Sequence, residues 1–237
     1  MPPRSAAVIW RYPLLALVIA GVAGYAQWKG WLPKQGADAL PSPTEESGTA
    51  RSQGTARSQE TARPSGRPTS RKIGTWEELQ GCTLAEDRAN DGDSFVVMHD
   101  GRRHTIRLYF ADCPEKYRHQ YNGDRIADQG RYFGGLTEEE TVGIGEEARD
   151  FTLGRLRAAT FTVLTCREQV FDSGRYYAFV TLEEGDLAEL LVEAGLARIF
   201  TKGENRPGGV GAAAGKQRLH AMEREARKAR RGAWRHR

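Results

Sequence analysis

The chain has 237 residues, 39 % of them hydrophobic, and a mean hydropathy of −0.62. That is room for one domain with appendages, which excludes a large multidomain enzyme or a polytopic transporter. The formal charge of +4 is unevenly placed, at +6 over residues 1–72, −9 over 73–215 and +7 over 216–237, so the expected folded body is acidic and any case for a polyanionic partner must rest on named residues. Three cysteines, Cys82, Cys113 and Cys166, are too few for a disulfide scaffold, and the absence of C-x-x-C spacing argues against zinc.

Seventeen uncharged residues, mostly Leu, Val, Ile, Ala and Gly, separate Arg11 from Lys29. This run is at the lower limit of a membrane span (~17–25 residues) and long for a signal-peptide core. Arg4 and Arg11 precede it, as a cytoplasmic N-terminus requires. Trp10 and Tyr12 at one end, with Tyr25, Trp28 and Trp31 at the other, resemble an aromatic belt, while Gly24-Tyr25-Ala26 fits a small-x-small cleavage site. Residues 1–34 therefore read as a transmembrane anchor or a signal peptide. The first makes a single-pass cell-membrane protein with its body outside the cytoplasm; the second makes a secreted or periplasmic one. Residues 35–72 turn to Pro, Ser, Thr, Gly, Ala and Arg, with an imperfect hexad at 49–54, 55–60 and 61–66. Leu40 is the sole sizeable aliphatic side chain of residues 35–71, too little to offset the entropy of ordering. The segment reads as a disordered tether.

The folded body is expected over 73–237. Gly81–Arg88 reads as a first strand, followed by a polar turn at 89–92. Ser94–His99 and Arg102–Phe110 flank Asp100-Gly101, a strong hairpin signal because both central residues tolerate positive φ. Ile106, Leu108 and Phe110 fall on one face of the second arm, so Arg107 should project from the other. Residues 116–144 are polar, with a Thr137-x-x-Glu140 capping pattern that predicts short helices. Gly145–Ala159 has helical apolar spacing, and Thr160–Cys166 and Arg175–Leu182 read as strands. Asp186 looks like the N-cap of a Leu187–Ala194 helix closed by Gly195. After a glycine-rich loop at 207–215, Lys216–Arg231 reads as a basic amphipathic helix whose charges are a solvated face. This order predicts an α+β chain, a five-stranded OB-type β-barrel with attached helices behind the N-terminal apolar helix and tether.

Asp91-Gly92-Asp93 precedes the hairpin, Arg107 lies in its second arm, and Asp112-Cys113-Pro114-Glu115 closes it. A hairpin returns its second strand beside its first, so Asp93 and Asp112 are expected side by side, where a hard cation would relieve their repulsion. Arg175 starts a strand at a turn, where its guanidinium can lean over the same place. Each motif alone has an ordinary reading as a turn, a helix start or a solvated arginine. His99, His104, His119, His220 and His236 have no ligand spacing and read as surface or packing residues.

The joint order is more specific. Asp-Gly-Asp-Ser, twelve residues, Arg107, four residues, Asp-x-Pro-Glu, Gly-x-Glu-Ala-x-x-Phe at 145–151, Gly174-Arg175 before a strand, and LLVEAGLARI at 190–199 resemble the staphylococcal nuclease (thermonuclease) family from about Cys82 to Trp234. The resemblance implies an OB barrel and a calcium ion (Ca2+) held by Asp93, Asp112 and the Cys113 carbonyl. It also implies phosphate-binding, charge-stabilising roles for Arg107 and Arg175, and Glu115 as the carboxylate that positions or deprotonates the attacking water. A phosphodiester gathers charge in its transition state, and guanidinium forks meet that charge where it grows. The expected activity is a calcium-dependent endonuclease on DNA and/or RNA, with little sequence preference and 3′-phosphate products, in a monomer held to the membrane if the N-terminal helix is uncleaved. The family's Thr after the second metal Asp is Cys113, its Lys-Tyr before Gly-Arg is Asp172-Ser173, and the tyrosines expected after the Gly-Leu-Ala stretch are Thr201 and Gly203. The loop after Glu115 is longer than the prototype's, and its 138–140 Glu run is placed to narrow access. The first and fourth barrel strands should be neighbours, which suggests a Cys82–Cys166 disulfide. The alternative is a non-catalytic OB-type module that binds nucleic acid or a cell-envelope partner.

Overall fold

The computed structural model describes residues 69–236. The expected apolar N-terminal segment, and the tether up to residue 68, lie outside them; among the described residues no helix is long and apolar enough to cross a membrane. The strands are β1 (Thr69–Ile73), β2 (Trp76–Leu84), β3 (Ser94–His99), β4 (Arg102–Leu108), β5 (Ala111–Asp112), β6 (Phe161–Thr165), β7 (Tyr176–Leu182), β8 (Gly185–Asp186) and β9 (Arg198–Ile199). The helices are α1 (Gly123–Tyr132), α2 (Glu138–Ala158), α3 (Leu187–Glu193) and α4 (Ala212–Lys228), with a final 3-10 turn at Gly232–His236.

Five strands close a barrel in the order β2-β3-β4-β7-β6 and back to β2. All pairings are antiparallel except the parallel β4–β7. The fold is α+β, as the sequence indicates. Asp100 and Gly101 have φ of 47° and 71°, the left-handed pair that a two-residue hairpin needs to match strand twist. That turn fixes the register His99↔Arg102 through Ser94↔Arg107. Phe95, Val97, Ile106, Leu108, Val163 and Val180 fill the interior. A pair of two-residue strands, β5 and β9, sets Asp112 opposite Arg198.

Several boundaries differ from expectation. The first barrel strand runs Trp76–Leu84 rather than Gly81–Arg88, because Gly81 (φ 73°) sits within a bulge against β6 instead of starting a strand. Thr69–Ile73, read partly as tether, pairs with β2 as a hairpin. The strand containing Arg107 stops at Leu108, and Phe110, at φ 63°, turns the chain into β5. The expected helix at Gly145–Ala159 is the last two thirds of the 21-residue α2, with Ala159 as its C-cap. Its start is the Thr137–Glu140 capping box: Glu140 N–H donates to Thr137 Oγ1 at 3.2 Å, and Thr137 N–H to Glu140 Oε2 at 2.9 Å. The Glu138–Glu140 run occupies that first turn, where the helix dipole favours acids. It does not line the cleft described below.

The Cys82–Cys166 disulfide does not form; all three thiols are free. β2 and β6 are neighbours as expected, but the register pairs Cys82 with Phe161 and Glu77 with Thr165. Cys166 therefore lies at the far end of the pair, roughly 15–20 Å from Cys82 at ~3.3 Å per residue, well beyond the ~7 Å a bridge tolerates.

Candidate active site

Two close approaches to α2 place the acidic segments. At Gly92 an added Cβ would lie 2.8 Å from Cys113 Sγ and 3.0 Å from Ala148 Cβ. The Gly92 carbonyl accepts a hydrogen bond from Thr152 Oγ1 at 2.7 Å, so α2 holds the turn that carries Asp93. Three residues before Ala148, Gly145 abuts the backbone of Pro114 and Glu115, and a Cβ there would meet Glu115 O at 2.4 Å. The helix is thus a common seat for both ends of the Asp93–Glu115 constellation.

Asp93 and Asp112 do come together, each 2 % exposed or less, and what bridges them is Arg107. Its Nη1 donates to Asp93 Oδ1 at 2.7 Å and its Nη2 to Asp112 Oδ1. The alternation along this strand predicts Arg107 projecting away from the buried aliphatic face; it is nevertheless only 8 % exposed, because both faces of β4 are covered here. The register opposite Ser94 lets Arg107 Nη1 donate to Ser94 Oγ at 3.2 Å, and Arg175 Nη1 donates to the same hydroxyl at 3.3 Å. The two expected guanidiniums therefore meet at Ser94. Glu115 lines the same open cleft, of about 550 Å³, together with Asp91, Arg125, Tyr177 and Lys202.

Four functional neighbours go beyond what the sequence motifs indicate. Ser94 is one. Arg198 Nε donates to Asp112 Oδ2 at 2.6 Å from the facing strand β9, and its guanidinium lies 3.9 Å over the Phe200 ring. Arg125 and Gln129, one turn apart on α1, point the same way. Arg125 Nη2 donates to Asp112 Oδ1 at 2.7 Å and its Nε to Glu115 Oε1 at 2.5 Å. Gln129 Nε2 donates to the Cys113 carbonyl at 3.0 Å and to Asp112 Oδ2 at 3.3 Å, while its Oε1 accepts from Glu115 N–H at 3.1 Å. The i, i+4 spacing of Arg125 and Gln129 is the one signal of them in the sequence, obscured by the polar character of 116–144.

Burial pushes the Asp93 carboxyl up to about 7, with Arg107 opposing the shift and Asp112 and Asp91 adding to it. Burial acts on Asp112 too, but Arg107, Arg125 and Arg198 outweigh it and hold that carboxyl below the usual range. Burial raises Asp91, and the Glu115 charge adds to the effect.

The oxygens expected to hold a cation are all engaged. Asp93 Oδ2 accepts from Cys113 N–H at 2.5 Å and its Oδ1 from Arg107. Both Asp112 oxygens accept from two nitrogens each, and the Cys113 carbonyl accepts from Gln129. Among the described residues no group of three or more His, Cys, Asp or Glu can hold a metal ion. The donor set in this arrangement does not fit calcium. On Glu115 it is Oε1 that Arg125 engages; Oε2 has no hydrogen-bond partner among the described residues and remains able to accept a proton.

A family model described as staphylococcal nuclease homologue matches residues 105–236. A search among curated proteins returned no match.

Proposed function

Because the chain belongs to the staphylococcal nuclease homologue family, which generally hydrolyses phosphodiester bonds, we propose that it is a nuclease cutting DNA or RNA with little sequence preference. The observation that carries this reading is the meeting of Arg107 and Arg175 at Ser94 Oγ, with Glu115 lining the same cleft. Two guanidinium forks, one from β4 and one from the turn just before β7, suit the non-bridging oxygens of one phosphate and stabilise the charge that accumulates on them. The free Oε2 edge of Glu115 suits a general base that takes the proton of an attacking water. Phe171 and Phe200, 87 % and 63 % exposed at the rim, offer faces on which bases stack. Products carrying a 3′-phosphate, and a calcium requirement, belong to this reading as family expectations. The chain acts as a monomer, its domain outside the cytoplasm, tethered to the membrane or released from it.

The test is hydrolysis of fluorescent single-stranded DNA and RNA by the full chain, with and without chelator. Cleavage lost in both Glu115→Gln and Arg107→Ala is the expected result. A wild-type chain that binds the strands and leaves them uncut in millimolar-range calcium would establish the binding-module alternative, which the neutralised aspartates favour.

A further inference from the structure

The segment that leaves the cleft at Glu115 carries groups for which the reacting centre has no use. In Lys116-Tyr117-Arg118-His119-Gln120-Tyr121, rings at 117, 119 and 121 are interleaved with cations at 116 and 118, and there is no acid. Lys116 begins it at the cleft's edge. Its ammonium donates to the Arg88 carbonyl at 3.3 Å and to the Asn90 carbonyl, on either side of Ala89, which lines the cleft. Those neutral carbonyls hold the ammonium without cancelling its charge. Arg118 meets Glu138 in an exposed pair, which screening keeps weak. Tyr117 and Tyr121 are 58 % and 84 % exposed; with Phe171 and Phe200 of the cleft they are the exposed large aromatic side chains among the described residues. The His119 ring neighbours both tyrosines, with centroids 6.1 Å and 6.3 Å away and planes tilted by 53° and 63°, so the rings are not stacked face to face.

The loop is nevertheless braced. The buried Asn122 side chain accepts from His119 N–H at 2.9 Å and donates to the Tyr117 carbonyl at 3.0 Å. His119 Nδ1 accepts from Tyr121 N–H at 3.2 Å, which orients the imidazole. A fixed turn that keeps its rings out of the core presents flat apolar faces already ordered for a ligand. We propose that Lys116–Tyr121 is a stacking subsite for unpaired bases of a DNA or RNA strand that runs on from the cleft. Ring faces accept any base, and cations between them suit the sugar–phosphate backbone. Within a duplex each base already has neighbours on both faces, so the subsite selects single strands. The proposal rests on the nuclease reading for the substrate that occupies the cleft.

Stopped-flow fluorescence anisotropy tests it, reading affinity before turnover. An end-labelled thymidine strand of about 16 nucleotides, the upper site size of one OB fold, is mixed with the detergent-solubilised full chain at one fixed salt concentration. Loss of one stacked ring weakens binding about fivefold or more, so Tyr121→Ala should fall by at least that factor and Tyr117→Ala/Tyr121→Ala further. Tyr121→Phe, which keeps the face and drops the hydroxyl, should retain wild-type affinity. Val210→Ala, which trims an exposed apolar side chain that does not line the cleft, should match wild type, and affinity for a duplex of equal length should be the same in every variant. Wild-type affinity in the double variant overturns the proposal, as does an equal loss on the duplex. Unchanged strand binding with lost adhesion to anionic lipid vesicles would make the loop a membrane contact and overturns it too. Should the alanine variants misfold, the wild-type chain decides: the Tyr117 and Tyr121 ring-proton resonances should move on binding the strand, and unmoved resonances refute stacking. Strand binding that is lost in the variants, from a chain that never cuts, would defeat the nuclease reading and leave the subsite standing, so the two failures are distinct.

Discussion

Gly145→Ala is the sharpest test of how the fold sets the chemistry. An alanine Cβ would lie 2.4 Å from Glu115 O, 2.5 Å from Glu115 C and 2.6 Å from Pro114 O, against ordinary contact at 3.4 Å and beyond. The obstructing atoms are backbone, so no side-chain rotation relieves them, and the Pro114-Glu115 segment must retreat by about 1 Å. A displacement of that size at a reacting group costs about 100-fold in rate, or about 2.7 kcal/mol of barrier. Overpacking costs roughly 1–3 kcal/mol of stability, partly offset by the ~1 kcal/mol that alanine gains over glycine within a helix. Gly143 and Gly154 lie on the same helix, and a Cβ at either would have nothing within 4 Å. Gly143→Ala and Gly154→Ala should each raise stability by up to about 1 kcal/mol and leave cleavage unchanged. The assay is initial-rate kinetics on a single-stranded oligonucleotide, with thermal melts of all three variants. The expected signature is a kcat loss confined to Gly145→Ala, with KM little changed and the protein folded. A folded Gly145→Ala enzyme with wild-type kcat would refute the claim that α2 positions Glu115.

Arg107→Ala removes the fork between Asp93 and Asp112 and should destabilise the calcium-free protein by roughly 3–5 kcal/mol, as expected when one partner of a buried ion pair is lost. Urea unfolding checks this, and a loss below about 1 kcal/mol would show the other arginines to suffice. Burial pushes the Cys82 thiol up to about 12 from its usual 9. Ionisation is then harder in the folded chain, so this contribution to stability is full below pH 9 and is lost as pH rises toward 12. Melting curves of Cys82→Ala should fall less steeply with pH over that window than those of wild type; parallel curves would contradict the assignment. Denatured, unreduced protein should take up three equivalents of alkylating reagent, one per thiol, whereas a single equivalent by intact mass would restore the disulfide.

Much of the barrel was legible because local chemistry and tertiary demand agree. Asp100-Gly101 can turn a hairpin on its own, and Asp186 caps α3 through Ala188 N–H at 3.0 Å wherever that helix packs. The site followed from the hairpin, since a fixed turn fixes Ser94 opposite Arg107. What stayed hidden depends on register and packing between distant segments. Nothing local to Cys82 or Cys166 reveals the pairing that separates them. Arg198 gains meaning only when β9 crosses Asp112, and Arg125 only when α1 docks. Gly145 appears in the sequence as a motif letter; its reason, a carbonyl too close for a methyl group, is visible only in three dimensions.

The touch between Gly145 and Glu115 also explains how the segment linking them can grow. Residues 116–144, 29 in number, leave and rejoin the body at what is nearly a single point. For a loop whose ends already meet, each doubling of length adds only about 0.6 kcal/mol of closure entropy. Extra helix can be spliced in there while the barrel stays undisturbed, and whatever is spliced in emerges beside the reacting groups.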